Sequence, residues 1–215
     1  MCYLGDMDLS APHTAVQPRI EGRVLLTLAG TTRPLSGREV SRLSGTSTNG
    51  AWRALQKLVE HGLVSVEEVG NGAALLYTLN RRHLAADAVL ALTDLRARLI
   101  ARLTDAVDAW PVQPVHAYLF GSAARGDGGT RSDIDLLLVR PHGVAEDDGQ
   151  WREQVDTLAE SIRAWTGNHA GIAELPQSDI RRVRRERPAI VDELERDAVV
   201  LRGLTVQELL GKKQR

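Results

Sequence analysis

Two short polar segments in the second half of the chain combine residue types that suit phosphate chemistry. In the first, Gly121 and Ser122 follow an apolar run that ends at Phe120. A glycine lets the backbone approach an anion closely, a serine hydroxyl donates a hydrogen bond, and a helix that begins here directs its free N–H groups at the anion. We therefore predict that Gly121 and Ser122 bind phosphate, with Arg125 as a charge-assisted contact.

The second segment is Ser132-Asp133-Ile134-Asp135, which begins ten residues after Ser122. Residues i and i+2 of a strand point to the same face, so the two carboxylates project together while Ile134 turns into the core. Two adjacent carboxylates repel unless a cation lies between them, and hard oxygen ligands favour Mg²⁺. A phosphate-binding turn opposite this pair indicates metal-assisted phosphoryl or nucleotidyl transfer. The alternative is a solvated strand end.

The whole string, Gly-Ser, then Arg-Gly, then Ser-Asp-Ile-Asp-Leu, resembles the DNA-polymerase-β-like nucleotidyltransferase superfamily, and within it the minimal nucleotidyltransferase branch. A looser similarity extends over residues 95–201. The resemblance implies that the Gly-Ser turn holds the triphosphate of an NTP, with ATP as the expected substrate. It also implies that Asp133 and Asp135 hold two Mg²⁺ ions, and that a third carboxylate on a following strand helps to deprotonate an acceptor hydroxyl.

The third carboxylate is expected on the apolar stretch 170–175, where Glu174 is the available acid. On this interpretation Asp133, Asp135 and Glu174 are the catalytic and metal-binding residues, and Glu174 is the general base. If the helix that follows this stretch is aligned strictly with the family pattern, Ala173 takes the position of the third carboxylate instead. The domain would then bind nucleotide and metal but transfer poorly.

A sheet must bring these segments together at one edge. Apolar runs predict strands at 115–120, 134–139 and 170–175, and helical spacing predicts helices at 147–165, 178–187 and 188–201. Strands separated by helices indicate an α+β fold, with a small mixed sheet and flanking helices. The dense basic run 181–187 is interpreted as a solvated helix face, with a contact surface for a nucleotide tail or an RNA acceptor as the alternative.

The first half of the chain predicts three helices that follow one another closely. Residues 20–28 have the spacing of an amphipathic helix, and Ser36 with Glu39 has the form of a capping box for a short second helix that a glycine closes. Thr46 or Ser47 then caps a longer third helix. The short second helix, tight turn and third helix match the helix-turn-helix signature.

A hairpin follows these helices and completes a winged helix-turn-helix. Its strands are predicted at 63–69 and 75–79, and Asn71-Gly72 between them suits the positive φ angles of a type I′ turn. Glu67 and Glu68 place negative charge on this wing, where a surface that follows DNA phosphates would avoid it. Winged helices also serve as protein-interaction or dimerisation modules, which is the alternative function.

The third helix is predicted to lie in the major groove of double-stranded DNA. The side chains expected to face the DNA are Thr48, Asn49, Arg53, Gln56 and Lys57. Between residues 19 and 65 there are seven basic and three acidic side chains, a net charge of +4 that favours a polyanion. Trp52, on the same helix, is assigned to the core.

These elements divide the chain into five parts. They are a flexible tail at 1–18, the winged helix-turn-helix at 19–82, a connector helix at 83–110, a polymerase-β-like nucleotidyltransferase domain at 111–205 and a C-terminal tail at 206–215. The apolar spacing of the connector predicts one long helix, or two helices broken near Thr93-Asp94. A homodimer seam along it is left open.

Composition restricts the class of protein. The 215 residues carry 27 Lys and Arg against 28 Asp and Glu, which excludes a basic nucleic-acid coat and an acidic disordered chain. The single cysteine, Cys2, cannot form an internal disulfide. No apolar run approaches the roughly 20 residues of a membrane span, and no signal peptide is visible. A cytoplasmic protein is therefore expected.

The sequence thus predicts a Mg²⁺-dependent nucleotidyltransferase with a DNA-binding winged helix. It would transfer NMP from an NTP to a hydroxyl of a protein, RNA or small-molecule acceptor. The alternative is a DNA-binding transcriptional regulator in which the nucleotidyltransferase fold senses nucleotide or is catalytically weak.

Overall fold

The computed structural model of the protein describes residues 6–15, 17, 19–70 and 74–211. The described chain divides into two compact units, one formed by residues 11–96 and the other by residues 97–211 together with residues 6–10. The predicted turn at Asn71-Gly72 lies outside the described residues.

The N-terminal unit is a set of helices beside a small antiparallel sheet. Its elements are a 3-10 turn at Pro12–Ala15, helices α1 (Ile20–Ala29), α2 (Gly37–Ser44), α3 (Thr48–Glu60) and α4 (Ala86–Thr93), and strands β1 (Leu35–Ser36), β2 (Val64–Val69) and β3 (Ala74–Leu79). The strands lie in the order β1-β3-β2, and Val66 pairs with Tyr77. The buried side chains Val24, Val40 and Leu55 join the helices in one core.

Local sequence signals set the ends of these helices. Ser36 accepts a hydrogen bond from the Glu39 backbone at 3.3 Å, and the Glu39 carboxylate accepts one from the Ser36 backbone at 2.9 Å, so the predicted capping box forms. That backbone bond, followed by the Arg33 side chain, lowers the pKa of Glu39 to about 2. Gly45, at φ 62°, ends α2, and Ser47 caps α3. The predicted connector forms two helices that are broken at Asp94, which is the second of the two arrangements that its apolar spacing predicted.

The C-terminal unit is a mixed sheet covered on both faces. Its elements are helices α5 (Leu95–Asp108), α6 (Gly121–Arg125), α7 (Gly149–Thr166), α8 (Ile180–Glu186), α9 (Ala189–Asp197) and α10 (Val206–Leu210), a 3-10 turn at Gln177–Asp179, and strands β4 (His116–Phe120), β5 (Ile134–Arg140), β6 (Ala170–Pro176) and β7 (Val199–Arg202). The strand order is β6-β5-β4-β7, with β5 and β6 parallel and β4 antiparallel to both β5 and β7. The predicted α+β class is confirmed.

Alternation along β5 separates two cores. Ile134, Leu136 and Leu138 point to the face covered by α5 and α7, where Trp151 is fully buried. Leu137 points to the opposite face, covered by α8, α9 and α10. Because side chains alternate, Asp135 shares the second face with Leu137, near the start of the strand, where it is half-buried. The carboxylate strand is therefore fixed by apolar packing on both sides.

Two predicted segments differ from the structure. The helix predicted at 188–201 ends at Asp197, because Val199–Arg202 forms an edge strand against β4. The predicted C-terminal tail contains α10 instead, in which Val206, Leu209 and Leu210 are buried and Thr205 with Glu208 forms a capping box. None of the helices in the described parts of the chain has the combined length and hydropathy that a membrane crossing requires.

The predicted flexible tail at 1–18 also differs from the structure over residues 6–10. This segment packs on the C-terminal unit, where Leu9 is only 5% exposed and joins the core beneath the sheet. Burial of an apolar side chain offsets the entropy of ordering so short a stretch of chain. A single leucine between polar residues carries no periodic signal, so the sequence pattern did not reveal it.

Candidate active site

The turn that follows β4 lies directly against the second aspartate of β5. Phe120, the last residue of β4, pairs with Asp135 across the antiparallel ladder. Gly121 follows at φ 68°, and a Cβ placed on it would lie 2.5 Å from Oδ2 of Asp135. Only a glycine fits there, because both its left-handed conformation and its contact with the carboxylate exclude a side chain. The predicted closeness of the Gly-Ser turn and the carboxylate strand is present.

A second glycine borders the same carboxylate from the neighbouring strand. Gly171 of β6 is in register with Asp135, and its Cβ position lies 2.8 Å from Oδ1 of Asp135 and 4.0 Å from the Cβ of Asp133. The two aspartates therefore flank one glycine, so they share one edge of the sheet. Asp133 is exposed and Asp135 half-buried.

Electrostatics at Asp135 favour a bound cation. Burial, followed by the negative charges of Asp133 and of Glu193 on α9, raises the pKa of Asp135 above its ordinary value, and the positive charge of Arg125 opposes this. A divalent cation between the two carboxylates would relieve the repulsion that these charges cause. Glu193 was not singled out by the sequence analysis, because it lies on a helix distant in sequence from the motif.

Ser122 is fixed by the loop that connects α6 to β5. Its carbonyl accepts hydrogen bonds from Gly126 at 2.9 Å and Asp127 at 3.1 Å. Its Oγ lies 2.8 Å from the position that a Cβ on Gly128 would take. The hydroxyl is half-exposed, and the glycine beside it leaves space that a larger residue would fill.

Arg125 is held by two carboxylates. Its guanidinium lies 2.9 Å from Asp127 and 2.6 Å from Asp197 of α9, and the Asp197 side chain is only 4% exposed. These pairs raise the pKa of Arg125 further above its ordinary value, the bond to Asp127 contributing most. A phosphate contact by Arg125 stays a prediction, and it requires exchange of the exposed partner Asp127.

Glu174 does not lie with the two aspartates, which corrects the predicted third carboxylate. It is in register with Leu138, so it points to the opposite face of the sheet from Asp135. There it accepts a hydrogen bond from Trp151 Nε1 at 2.5 Å and pairs with Arg140 at 3.4 Å. The alternative alignment is nearer the structure, since Ala173 shares the face of Asp135, but neither Ala173 nor Gly171 offers a carboxylate.

Two carboxylates therefore form the centre of the site. The described residues hold no group of three or more His, Cys, Asp or Glu side chains arranged around one metal position. Mg²⁺ is commonly held by one or two carboxylates, with substrate phosphates and water completing its shell. Asp133 and Asp135 fit this pattern, because glycines at 121 and 171 leave no side chain beside the Asp135 carboxylate. The donor set fits Mg²⁺ bound together with a nucleotide.

The third helix of the N-terminal unit presents its predicted contact residues to solvent. All five side chains are exposed: Thr48, Asn49, Arg53, Gln56 and Lys57. Lys57 already pairs with Glu21 at 2.8 Å, which leaves Arg53 as the cation on this face with no such pair among the described residues.

Trp52 is not in the core, which corrects its predicted place. Its side chain is 52% exposed and lines a groove of about 490 Å³ together with Val59, Val66 and Leu75. Glu60 and Glu68 also line this groove, and so does Gln56, one of the five predicted DNA contacts. An apolar and acidic groove is unsuited to DNA phosphates, and Arg53 and Lys57 lie outside its lining.

Residues 101–200 match the family model described as a nucleotidyltransferase domain, a span that holds the Gly-Ser turn and both aspartates. The C-terminal unit is a nucleotidyltransferase domain. Residues 22–68, which include α2 and α3, match the IclR helix-turn-helix domain. The protein therefore joins a helix-turn-helix domain, a DNA-binding fold, to a nucleotidyltransferase domain. A search of the curated proteins finds no match to the chain.

Solved structures resemble parts of the chain at low identity. A point mutant of Lactococcus lactis ZitR is 17% identical over 40% of this chain and 59% of its own, with a TM-score of 0.33. The MarR family transcriptional regulator SPO1453 of Silicibacter pomeroyi is 23% identical over 43% of this chain and 68% of its own, with a TM-score of 0.33. A toxin-antitoxin structure with AMP-PNP is 18% identical over 54% of this chain and 80% of its own, with a TM-score of 0.32.

Proposed function

We propose that the nucleotidyltransferase domain binds an NTP with Mg²⁺ and transfers its NMP group to a hydroxyl acceptor. The observation that carries the proposal is the close approach of the Gly121 backbone to Asp135, where a Cβ would lie 2.5 Å from the carboxylate, because it brings the Gly-Ser turn beside the carboxylate pair. Oxygen ligands, a glycine in the turn and a half-exposed Ser122 suit a nucleoside triphosphate, with ATP as the first candidate.

In this proposal each residue has a defined task. The Gly121 backbone and the Ser122 hydroxyl bind the terminal phosphates and orient the α-phosphorus toward the acceptor. Asp133 and Asp135 would hold Mg²⁺, expected as two ions. When bound, the metal would neutralise negative charge on the phosphates. The acceptor oxygen forms a bond to the α-phosphorus while the bond to pyrophosphate breaks, and the acceptor proton leaves to solvent, because β6 presents no carboxylate at this edge.

The missing carboxylate favours a second candidate function. Gly171 stands in register with Asp135 on the strand where the family resemblance implies an acid. A general base typically contributes about 10²–10⁴-fold to a rate, so a site without one binds its substrate but reacts slowly. The domain would then act as a nucleotide sensor in a DNA-binding transcriptional regulator.

Transfer of a labelled nucleotide separates the two functions. The protein is incubated with α-labelled ATP and Mg²⁺ and with protein, RNA and aminoglycoside acceptors, in parallel with the Asp133→Ala/Asp135→Ala variant. Label on an acceptor that the variant does not produce supports the transferase. Mg²⁺-dependent ATP binding without transfer to any of the acceptors supports the sensor, and absence of both binding and transfer contradicts the proposal.

We also propose that the helix-turn-helix domain binds double-stranded DNA through α3. Arg53 and Lys57 supply charge, while Thr48 and Asn49 can hydrogen-bond base edges. Binding to the DNA upstream of the protein's own gene, measured against salt concentration, tests this. A cytoplasmic location, where DNA and nucleoside triphosphates are both found, belongs to the same proposal.

A further inference from the structure

A short N-terminal segment forms part of the nucleotidyltransferase domain although it precedes the helix-turn-helix domain in sequence. We name residues 6–10 the N-terminal strap. Leu9 is buried in the same core as Ile134, which lies between the two aspartates. Asp6 pairs with Arg163 of α7 at 3.2 Å at the outer end of the strap. The matched family span begins only at residue 101, so the strap lies outside it.

The strap contacts the loop that follows the phosphate-binding turn. The Ser10 backbone N–H donates to the Gly128 carbonyl at 2.8 Å. A Cβ on Gly128 would lie 3.1 Å from a methyl carbon of Leu9 and 2.8 Å from the Ser122 hydroxyl. Gly128 is therefore enclosed between the strap on one side and Ser122 on the other.

A buried asparagine connects the strap to the residue before Asp133. Asn168 has no exposed surface, and its amide nitrogen donates to the Met7 carbonyl at 3.2 Å and to the Ser132 carbonyl at 3.0 Å. Its amide oxygen accepts from the Met7 N–H at 3.1 Å. One side chain therefore fixes the strap and the backbone of the carboxylate segment together.

We propose that the strap and Asn168 are positioning elements of the nucleotide site, and the proposal rests on the function proposed above. The loop 126–132 contains three glycines, which lose the most conformational freedom when a chain becomes ordered. The strap holds this loop at Gly128, and Asn168 holds its last residue, Ser132. Ser122 and Asp133 are then presented together before any nucleotide binds, which removes an ordering cost from binding.

Full-length variants of Leu9 and Asn168 test this role. Leu9→Ala removes the side chain that anchors the strap, and Leu9→Met keeps its volume. Asn168→Asp keeps the shape but cannot donate to the Met7 and Ser132 carbonyls. Arg163→Ala is the matched control, because it breaks the outer ion pair of the strap without touching the loop. Circular dichroism and thermal unfolding establish that each variant folds.

Two readouts distinguish positioning from general stabilisation. Hydrogen exchange on the protein without ligand should show faster exchange confined to the strap and to residues 126–134 in Leu9→Ala and Asn168→Asp, with α7 unchanged. The Kd for ATP with Mg²⁺ should rise about tenfold. This is the change expected when binding must also pay the conformational entropy of ordering the backbone of about one residue. Leu9→Met and Arg163→Ala should retain wild-type values for both readouts.

Unchanged exchange in this loop, or faster exchange spread evenly over the whole domain, overturns the positioning role. Faster exchange in the loop together with an unchanged Kd for ATP also overturns it, because the order of the loop would then have no effect on nucleotide binding. If the wild-type protein binds no nucleotide, the proposed function fails instead. The exchange measurement on the ligand-free protein still decides whether the strap holds the loop.

Discussion

The Cβ position of Gly121 lies 2.5 Å from Oδ2 of Asp135. This contact joins the end of one strand to the start of its antiparallel neighbour and leaves no room for a side chain between them. The Gly-Ser turn and the two aspartates consequently lie together at one edge of the sheet. A nucleotide bound at the turn would have its phosphates beside the carboxylates, where a divalent cation can bridge both.

The substitution Gly121→Ala should disrupt the packing of the Gly-Ser turn against Asp135. The new methyl group meets the carboxylate and the backbone must hold φ 68°, so we expect a loss of about 3 kcal/mol in the free energy of unfolding together with loss of ATP binding. Gly129→Ala in the following loop is the control, because nothing lies within 4 Å of its Cβ position. Urea unfolding and ATP titration measure both effects. Equal losses in the two variants would show that the turn is not constrained as described.

Asp135→Asn should stabilise the protein at neutral pH. Burial and the charge of Asp133 raise the pKa of Asp135, so protonated Asp135 favours folding and this contribution is lost as pH rises through the raised value. We expect a Tm about 2 °C above wild type at pH 7, and no difference below a pH of about 3, where the carboxyl is protonated in both the folded and the unfolded state. The exposed Asp105→Asn serves as the control. A lower Tm for Asp135→Asn at pH 7 contradicts the sign of this effect.

Glu174→Ala should lower stability without affecting nucleotide binding. The substitution removes the acceptor for Trp151 Nε1 and leaves Arg140, whose side chain is 6% exposed, without its closest carboxylate. Breaking such a buried pair costs about 3 kcal/mol. Chemical unfolding checks the loss, and ATP titration with Mg²⁺ at a temperature where the variant stays folded should give the wild-type Kd. A loss of Mg²⁺-dependent ATP binding in the folded variant would contradict this and would indicate that Glu174 is part of the nucleotide site.

Arg53→Ala should weaken DNA binding more than Lys57→Ala. The Lys57 ammonium is paired with Glu21 at 2.8 Å, so part of its charge is already neutralised before DNA binds. We expect Arg53→Ala to lower the slope of log K against log salt by about one phosphate contact. Glu68→Gln, in the acidic groove, is the control and should not weaken binding. An unchanged salt slope in Arg53→Ala would place the DNA on another surface.

Local chemistry made much of the fold predictable from the sequence. The capping box of Ser36 and Glu39 set the start of α2, and Gly45 set its end, because both act through neighbouring backbone groups. The face of Asp135 likewise followed from the alternation along β5, and Asp133 immediately precedes that strand. These features depend on residues close in sequence, so a pattern is enough to find them.

Features that depend on contacts between distant segments were not predictable in this way. The register of β6 against β5 decides which side of the sheet Glu174 faces, and one residue of register reverses that side. Packing sets the register, and the apolar run 170–175 gives no sign of it. The strap and Asn168 were missed for the same reason, since Met7 and Asn168 are 161 residues apart in the chain.

We expect one nucleotide site to be formed by the Gly121 turn together with Asp133 and Asp135. Calorimetric titration of a non-hydrolysable ATP analogue tests this expectation most directly. The titration is run with Mg²⁺ and with EDTA, on wild type and on Asp133→Asn/Asp135→Asn. We expect wild type to bind with Mg²⁺, and chelation or the double substitution to weaken binding by at least about tenfold, or about 1.4 kcal/mol. Binding of equal strength in all of these conditions would contradict a site built on the two aspartates.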